Sequence, residues 1–389
     1  MTGDRIRAVE AAHAVVPLPE PLQLGAMTVR RREYAAVRVV TEEGLVGKAY
    51  CLTREAPMAA LVARMVAPQV TGLALESPAD VAAAWEQAFR ATAIVGRVGL
   101  LVRALGLVDV ALWDVAAQRA GLPLWELLAR EATGGAPLGD PARAAAGAAK
   151  EAMLVAAYGT PGRTAADLAE EVLGHARSGG WPLLKVARSP DAALMRELIA
   201  RLARELSSGS RPVVDVGFGW RDAEQALAEL REWEVPAGAL AWLEDPLPPE
   251  DAAGAARIRR ESGLPVAVGD EVTDGRTYAD LLGAGALDVL RLDVVAIGGV
   301  TAARRELARA AAAGVPVSCH VYPEVSVHLP GVGVETFDRE PPRGNRYDPA
   351  PLLIADGGPR FERGRATPPR TPGLGFDLDW DRFERWEQT

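Results

Sequence analysis

Six charged residues recur at regular intervals through the middle of the chain, and each one closes or directly follows an apolar run. They are Lys185, Asp215, Glu244, Asp270, Asp293 and His320. The intervals between them are 30, 29, 26, 23 and 27 residues, the length of one strand with one crossover helix. Charged residues at the carboxyl ends of successive parallel strands point into one mouth, where a barrel places its chemistry. The spacing therefore predicts a single active site.

The residue types indicate the chemistry of that site. Three consecutive predicted strands end near a carboxylate, namely Asp215, Glu244 and Asp270. Carboxylate oxygens are the hard ligands that Mg²⁺ takes. Glu271 adjoins Asp270 and is an alternative third ligand. An Asp on the strand before His320 can orient the imidazole and raise its basicity. Solvated strand-end carboxylates and a structural histidine are the alternatives, and the regular spacing argues against them. The pattern predicts a metal site beside a base.

Strands and helices alternate from about residue 153 to residue 336, which predicts a parallel sheet. Eight strands in this length fit a closed barrel better than an open doubly wound sheet, which would gather its site at one switch point. The predicted strands are Met153–Tyr158, Leu183–Ala187, Pro212–Gly217, Leu240–Asp245, Pro265–Gly269, Asp288–Asp293, Val315–His320 and Val332–Thr336. Helices are predicted at Asp191–Leu206, Ala223–Trp233 and Thr301–Ala313.

The segments on either side of this region differ from it. Residues 1–130 predict an α+β unit with a hairpin over residues 34–46 and helices near residues 56–70 and 102–118. Residues 131–149 are rich in Gly, Ala and Pro and predict a junction or surface loop. The tail from about residue 351 has little periodicity.

Composition excludes several classes of function. The net charge of −9 argues against a nucleic-acid or anionic-membrane partner. Cys51 and Cys319 are too few for a disulfide framework and lack zinc-site spacing. Charged residues near the N-terminus do not fit a signal peptide, and no apolar run approaches the roughly 18 residues of a membrane span. No Gly-x-Gly-x-x-Gly turn follows a predicted strand, which disfavours a nucleotide. The expectation is a cytoplasmic enzyme acting on a small molecule.

Several segments together carry a family resemblance. They are TEEGLVGKA (41–49), VDVALWDVAAQRAGLPLWELL (108–128), WLEDP (242–246), GDE (269–271), the turn at 298–301, VSCHVYPEVSVHL (317–329) and PGLG (372–375). In this order the chain resembles the enolase superfamily and, within it, the mandelate racemase subgroup. The resemblance implies a (β/α)7β barrel at 131–350, an N-terminal α+β capping domain at 1–130, and a C-terminal segment at 351–389 that packs back on the cap.

The resemblance also implies roles for individual residues. Mg²⁺ is expected on Asp215, Glu244 and Asp270, and Glu335 is expected to donate a hydrogen bond to the developing oxyanion. A solvated loop carboxylate is the alternative for Glu335. Specificity is expected from capping-domain loops near residues 19–30 and 51–57. Homo-oligomers are common among such proteins, which favours one here.

Two positions depart from the family pattern. Gly217 stands where the family has Asn, which removes a polar group but no ligand. The second-strand Lys-x-Lys pair is incomplete, because only Lys185 is present. Lys185 is either the first lysine, with Ala187 in place of the second, or the second lysine, with Leu183 in place of the first. The first register is slightly favoured.

These groups predict abstraction of a proton α to a carboxylate, giving an enediolate whose charge Mg²⁺ stabilises as a Lewis acid. Superfamily sites use a Lys or His base with Mg²⁺, and here His320 would take the proton while Lys185 and Glu335 hold the oxyanion. If the enediolate then expels a β-hydroxyl, the enzyme is a sugar acid dehydratase, and this is the favoured interpretation. Reprotonation on the other face, which needs a second base, makes a racemase or epimerase of a 2-hydroxy acid.

Two further readings are weaker. A muconate-type cycloisomerase is disfavoured, because that subgroup places Lys on the sixth strand where this chain has Asp293. A degenerate metal- or carboxylate-binding barrel without turnover is the non-enzymatic alternative. The incomplete Lys-x-Lys pattern gives it weight, and the complete carboxylate set with the His–Asp pair argues against it.

Overall fold

The N-terminal part of the chain is built on an antiparallel sheet. The computed structural model describes residues 3–24, 27–134, 144, 147–160, 162–339 and 346–385. Strands β1 (Ile6–Leu24), β2 (Met27–Thr41) and β3 (Val46–Leu52) form consecutive hairpins. The predicted hairpin is β2–β3. The predicted loop at 19–30 is wrong for its described residues, because the β1–β2 ladder continues through the pairs Leu22–Val29 and Gln23–Thr28.

A group of helices packs on this sheet. They are α1 (Met58–Leu61), a π-helical turn (Val62–Val66), α2 (Ala67–Val70), α3 (Pro78–Thr92), α4 (Leu100–Arg119) and α5 (Leu124–Ala132). Helices were predicted at α1–α2 and at α4, whereas α3 was missed. Its start signals are a Ser77–Asp80 capping box and Pro78 in the first turn, which are typical of a helix N-terminus.

Eight parallel strands of the described chain form a closed barrel, as predicted. They are β4 (Lys150–Ala157), β5 (Leu183–Ala187), β6 (Arg211–Asp215), β7 (Trp242–Glu244), β8 (Val266–Val268), β9 (Val289–Leu292), β10 (Val317–Cys319) and β11 (Val332–Phe337). Each pairs with the next in chain order, and β11 pairs with β4 to close the ring. Every predicted strand is present, with ends shifted by at most three residues.

Helices connect these strands on the outside of the barrel. They are α6 (Ala165–Gly179), α7 (Ala192–Glu205), α8 (Ala223–Trp233), α9 (Ala252–Ser262), α10 (Gly275–Gly283), α11 (Val300–Ala312) and the short α12 (Pro323–Ser326). An Asp precedes each of α7 to α10, and its side chain accepts hydrogen bonds from first-turn amides. Such caps satisfy donors that have no partner inside the helix, so these starts are encoded locally.

The tail forms small elements rather than an extended loop. They are two 3₁₀ turns (Ala350–Leu353 and Trp380–Arg382) and the strands β12 (Ile354–Gly357), β13 (Arg360–Glu362), β14 (Arg365–Thr367), β15 (Phe376–Leu378) and β16 (Glu384–Arg385). Strand β14 pairs with β4, and β16 pairs with β1. The amide of Leu374 donates to Asp114 on α4 at 2.7 Å. The tail therefore contacts both sheets, while the domain borders at 130 and 350 stay a prediction.

Helix α4 packs tightly against the turn that follows β9. A Cβ atom at Gly106 would lie 2.1 Å from the carbonyl oxygen of Val295, so only glycine permits this approach. Deeper along α4, the buried Asp109 accepts hydrogen bonds from the amide of Thr301 at 2.9 Å and from its hydroxyl at 2.6 Å. These contacts fix the loop that carries Asp293 against the N-terminal part of the chain.

No helix among the described residues combines the length and the apolar character that a membrane crossing needs.

Candidate active site

Lys185 lies at the centre of the barrel mouth. Its Nζ atom is 2.7 Å from Oε1 of Glu244, 2.7 Å from Oε2 of Glu335 and 3.2 Å from Oδ2 of Asp215. Burial disfavours the ammonium form, but the three carboxylates outweigh that effect and hold the pKa of Lys185 well above its usual range. The residue is therefore a fixed cation, and a poor candidate for a base.

The strand ladder indicates which register Lys185 follows. Lys185 is opposite Val213, whereas Ala187 is opposite Asp215. Both point to the same face, since side chains alternate along a strand, and Lys185 lies two residues deeper in the barrel. Its contact with Glu335 and two predicted ligands supports the first-lysine register. Ala187 then lines the cavity at the position of the second lysine.

A buried arginine that the sequence analysis missed lies beside Lys185. The side chain of Arg291 is fully buried. Its Nη2 is 2.5 Å from Oε2 of Glu335, and its Nε is 3.0 Å from Oδ1 of Asp270 and 3.2 Å from Oε2 of Glu244. The signal was present, because Arg291 interrupts the apolar strand VLRL two residues before Asp293 and so shares its inward face.

The predicted metal ligands meet at this mouth, with one difference in detail. Oxygen atoms of Glu244, Asp245 and Asp270 lie within 4.8 Å of one another, while Asp215 is engaged by Lys185. Asp245 was not predicted. It accepts hydrogen bonds from the amides of Gly269 at 2.8 Å and Asp270 at 3.4 Å. We therefore assign Asp245 the task of positioning the β8 loop, which keeps Asp270 at the mouth.

The donor set fits Mg²⁺. Burial raises the pKa of Asp270 to about 6, although Arg291 and His320 oppose the rise. Burial and the charge of Asp270 also hold the pKa of Asp245 well above its usual value. A divalent cation stabilises carboxylates that are crowded together, and an all-oxygen set is what Mg²⁺ prefers. Asp215, Glu244 and Asp270 are the residues that would hold it.

His320 and Asp293 form the predicted pair. Nδ1 of His320 lies 3.4 Å from Oδ2 of Asp293, and Nε2 lies 3.5 Å from Oδ2 of Asp270. Asp293 is fixed in turn by the amides of Val295 at 3.0 Å and Ala296 at 2.8 Å. Burial lowers the pKa of His320, but Asp270, the hydrogen bond with Asp293 and nearby glutamates raise it to about 9. The raised pKa makes the neutral imidazole a strong base, so in its deprotonated form the ring can accept a proton and later return it.

Glu271 pairs with two arginines from the N-terminal part of the chain. One ligand atom from each of Glu271, Asp293 and His320 also lies within 4.8 Å of the other two, but this group already has cationic partners. Arg54 donates to Glu271 at 2.6 Å, and Arg103 contacts both Glu271 and, at 3.8 Å, Asp293. Despite burial, these arginines lower the pKa of Glu271 far below its usual range. Asp270 is the better third ligand, because Asp270 and not Glu271 belongs to the carboxylate cluster that contains Glu244.

Glu335 contacts cations on both sides. Its Oε2 atom accepts from Lys185 at 2.7 Å and from Arg291 at 2.5 Å. Burial raises the pKa of Glu335, but Lys185, Arg291 and His320 reverse this and bring it to about 2. In this arrangement Glu335 is an anion that accepts hydrogen bonds, whereas the predicted oxyanion donor would need a proton.

A cavity of about 420 Å³ lies over these groups. Its floor includes Lys185, Asp215, Asp270, His320 and Glu335 from the barrel. Arg32, Leu52 and Arg54 of the N-terminal sheet and its following loop line the other side. Its volume is typical of small-molecule sites, and the N-terminal segment covers the mouth.

Comparison with known proteins agrees with this architecture. Residues 6–129 match the family described as mandelate racemase / muconate lactonizing enzyme, N-terminal domain. Residues 167–382 match the family described as enolase C-terminal domain-like. The chain belongs to the enolase superfamily. Within the superfamily it falls in the mandelate racemase group, as the sequence motifs indicated.

Curated relatives in the superfamily include sugar acid enzymes. The chain is 30% identical over 404 residues to an L-talarate/galactarate dehydratase of Salmonella typhimurium LT2, covering 100% of this chain and 92% of that protein. It is 29% identical to a 3,6-anhydro-alpha-L-galactonate cycloisomerase of Streptomyces coelicolor, covering 91% of each. Among solved superfamily structures, L-talarate dehydratase of Polaromonas sp. JS666, complexed with Mg and L-glucarate, covers 100% of both chains at 25% identity and a TM-score of 0.80.

Proposed function

We propose that this protein is a Mg²⁺-dependent lyase that abstracts the proton α to a carboxylate and then eliminates water from an acid sugar. The proposal rests on a difference between two positions that flank the cavity, because one carries a histidine that can act as a base and the other carries an alanine that cannot. His320 follows β10, and Ala187 lies on β5, three strands away around the closed sheet. In the first-lysine register that we adopt for Lys185, Ala187 takes the place of the second lysine. One base is enough for dehydration, because the same imidazole can return its proton to the leaving hydroxyl.

Each residue has a task in this proposal. Bound at Asp215, Glu244 and Asp270, Mg²⁺ would supply Lewis-acid stabilisation for the substrate carboxylate. His320 accepts the α-proton through Nε2, and Asp293 orients the ring through Nδ1 and stabilises the imidazolium. The ammonium of Lys185 donates a hydrogen bond to the developing oxyanion.

Glu335 receives a different task from the one that the resemblance implies. As an anion it holds Lys185 and Arg291 in place and balances their charges. The hydrogen-bond donor to the enediolate is then Lys185 rather than Glu335. Glu335→Gln would keep the size of the side chain and remove the charge, so it tests whether the anion or a proton is needed.

A substrate screen tests the proposed function. The protein with Mg²⁺ is incubated with six-carbon mono- and diacid sugars, and 2-keto acids are detected by semicarbazone formation. We expect a 2-keto acid from at least one acid sugar, its loss when EDTA is added, and its loss in His320→Asn. Racemised acid without any keto acid would favour the racemase instead. Binding of acids without either reaction would support the degenerate barrel.

We further propose that the protein works in the cytoplasm as a homo-oligomer. Cys51 and Cys319 are both free and buried, which is compatible with a reducing compartment. The side chains of Ile94, Val95 and Val98 are exposed between α3 and α4, as on a surface used for association. Light scattering that gives the mass of one chain would contradict the oligomer.

A further inference from the structure

Arg32 differs from the other cations around the cavity. It lies on β2 of the N-terminal sheet, two residues before Tyr34 on the same face, and is 6% exposed. The structure gives it one hydrogen bond, from Nε to the carbonyl oxygen of Tyr347 at 3.5 Å. Within the described part of the chain, no carboxylate pairs with its guanidinium. A buried guanidinium that lacks a counter-ion is costly unless a ligand supplies one.

The neighbouring cations are already neutralised. Lys185 contacts three carboxylates, and Arg54 pairs with Glu271 at 2.6 Å. Arg188 makes a two-pronged contact with Glu229, at 2.7 Å and 2.5 Å. Arg32 therefore carries the one positive charge among the described cavity-lining residues that has no carboxylate partner.

We infer that Arg32 binds a second carboxylate at the far end of the substrate, which makes the substrate class a polyhydroxy dicarboxylate. The inference rests on the proposed function and deepens it. The reacting carboxylate lies at the barrel floor with Asp215, Glu244 and Asp270, and the second carboxylate extends toward the N-terminal sheet. Arginine suits this task because its planar fork binds both oxygens of a carboxylate.

The local structure prepares Arg32 for this role. The carbonyl of Tyr347 takes one donor of the guanidinium and leaves the Nη groups for a ligand. The Tyr347 ring is fixed by its hydroxyl, which contacts both oxygens of Glu171 at 2.9 Å and 3.0 Å. Tyr34 is anchored to Asp348, which holds this part of β2 against the chain around residue 347. A fixed guanidinium loses little freedom when a ligand binds.

A monoacid would leave the Arg32 guanidinium without a counter-ion, so the site should bind an acid sugar with a second terminal carboxylate more tightly than one without it. The test uses the Mg²⁺-loaded protein with matched pairs of six-carbon acids: galactarate against galactonate, and glucarate against gluconate. Binding is measured by calorimetry, and turnover by 2-keto acid formation. Wild type should prefer a diacid over its monoacid. Arg32→Gln should weaken diacid binding by about 10-fold to 100-fold, as for loss of a charged hydrogen bond, and change monoacid binding by less than about threefold.

Arg31→Gln is the matched control. Arg31 is the next residue on β2, points to the other face and pairs with Glu33 at 3.1 Å. The Arg31→Gln substitution removes a positive charge of the same kind outside this cavity, and it should leave the diacid preference unchanged. Arg32→Lys keeps the charge without the fork and should retain part of the preference.

The outcomes separate this inference from the proposed function. Keto acid formed from a diacid at equal rates, and with equal diacid affinity, in wild type and Arg32→Gln would overturn the diacid inference and leave the lyase intact. A diacid that binds in an Arg32-dependent manner, with no keto acid from any substrate, would overturn the lyase and leave the Arg32 subsite. If no diacid of the panel binds wild type more tightly than its monoacid, the inference is wrong.

Discussion

Nε of Arg291 lies 3.0 Å from Oδ1 of Asp270, so a buried guanidinium contacts the same carboxylate that is proposed as the third metal ligand. The same group also contacts Glu244 and Glu335. Arg291 therefore balances part of the negative charge at the barrel mouth when no ion is bound. A cation in this place keeps the carboxylates compact and competes with a metal for them.

We predict that Arg291→Gln makes the metal-free protein less stable and more dependent on Mg²⁺. Loss of one partner of a buried ion pair typically costs about 3–5 kcal/mol, and Mg²⁺ should recover part of this loss. Thermal denaturation at increasing Mg²⁺ concentrations measures both effects. Arg259→Gln, which breaks a partly exposed contact with Asp288, is the control and should cost only about 0–1 kcal/mol. An unchanged Mg²⁺ dependence in Arg291→Gln would contradict the competition.

We predict that Glu244→Gln abolishes Mg²⁺ binding and activity in a folded protein. Glu244 is fully buried and also pairs with Lys185 and Arg291, so some loss of stability is expected as well. Calorimetric titration with Mg²⁺ measures the binding, and circular dichroism measures the fold. Glu250→Gln changes an exposed glutamate just beyond β7 and should bind Mg²⁺ as wild type does. Wild-type Mg²⁺ affinity in Glu244→Gln would remove this residue from the ligand set.

The sequence predicted the barrel and most of the charged residues that meet at its mouth, because both follow from local patterns. Apolar runs that end in Asp215, Glu244 and His320 define the strands and also place the side chains. The long β1–β2 hairpin was not predicted, because the charged residues of β2 interrupt the apolar alternation that marks a strand. The paired charges of Arg291, and the lack of a carboxylate partner for Arg32 among the described residues, depend on contacts between distant parts of the chain, which no local pattern encodes.

We predict that Asp293→Asn slows turnover and shifts its pH dependence. The charge of Asp270 and the hydrogen bond with Asp293 both raise the pKa of His320, and the Asp293 carboxylate does so by stabilising the imidazolium. Without that charge the pKa of His320 falls, so the acid limb of the kcat/KM profile should move to lower pH while the plateau drops by at least about tenfold. A lower plateau with an unmoved acid limb would show that Asp293 orients the ring without setting its pKa.

We predict that Asp109 makes the protein less stable as pH rises. Burial raises the pKa of Asp109 from 3.8 to about 7, although hydrogen bonds from Thr301 oppose this rise. The folded protein therefore holds a proton between these values that the unfolded chain has lost. The contribution is complete below about pH 4 and is lost as pH rises through about 7, and each pKa unit corresponds to about 1.4 kcal/mol.

Asp109→Asn should flatten this part of the stability profile, measured by urea denaturation between pH 4 and pH 8. Asp222→Asn is the opposing control, because a backbone hydrogen bond from Gln225 lowers the pKa of that exposed helix cap. Its contribution appears above the unfolded pKa and is lost on acidification. An Asp109→Asn profile parallel to that of wild type would contradict the assignment.

The measurement that tests the central claim most directly is proton exchange at the α-carbon in D₂O. The Mg²⁺-loaded protein is incubated with D-2-hydroxyglutarate and L-2-hydroxyglutarate, which are 2-hydroxy diacids with no hydroxyl β to either carboxylate, and deuterium incorporation at the α-carbon is followed by NMR. A single base at His320 predicts exchange of one enantiomer, its loss in His320→Asn, and the same enantiomer exchanging in Lys185→Met, although more slowly. Exchange of both enantiomers, with Lys185→Met silencing one, would contradict the single-base account and make Lys185 a second base.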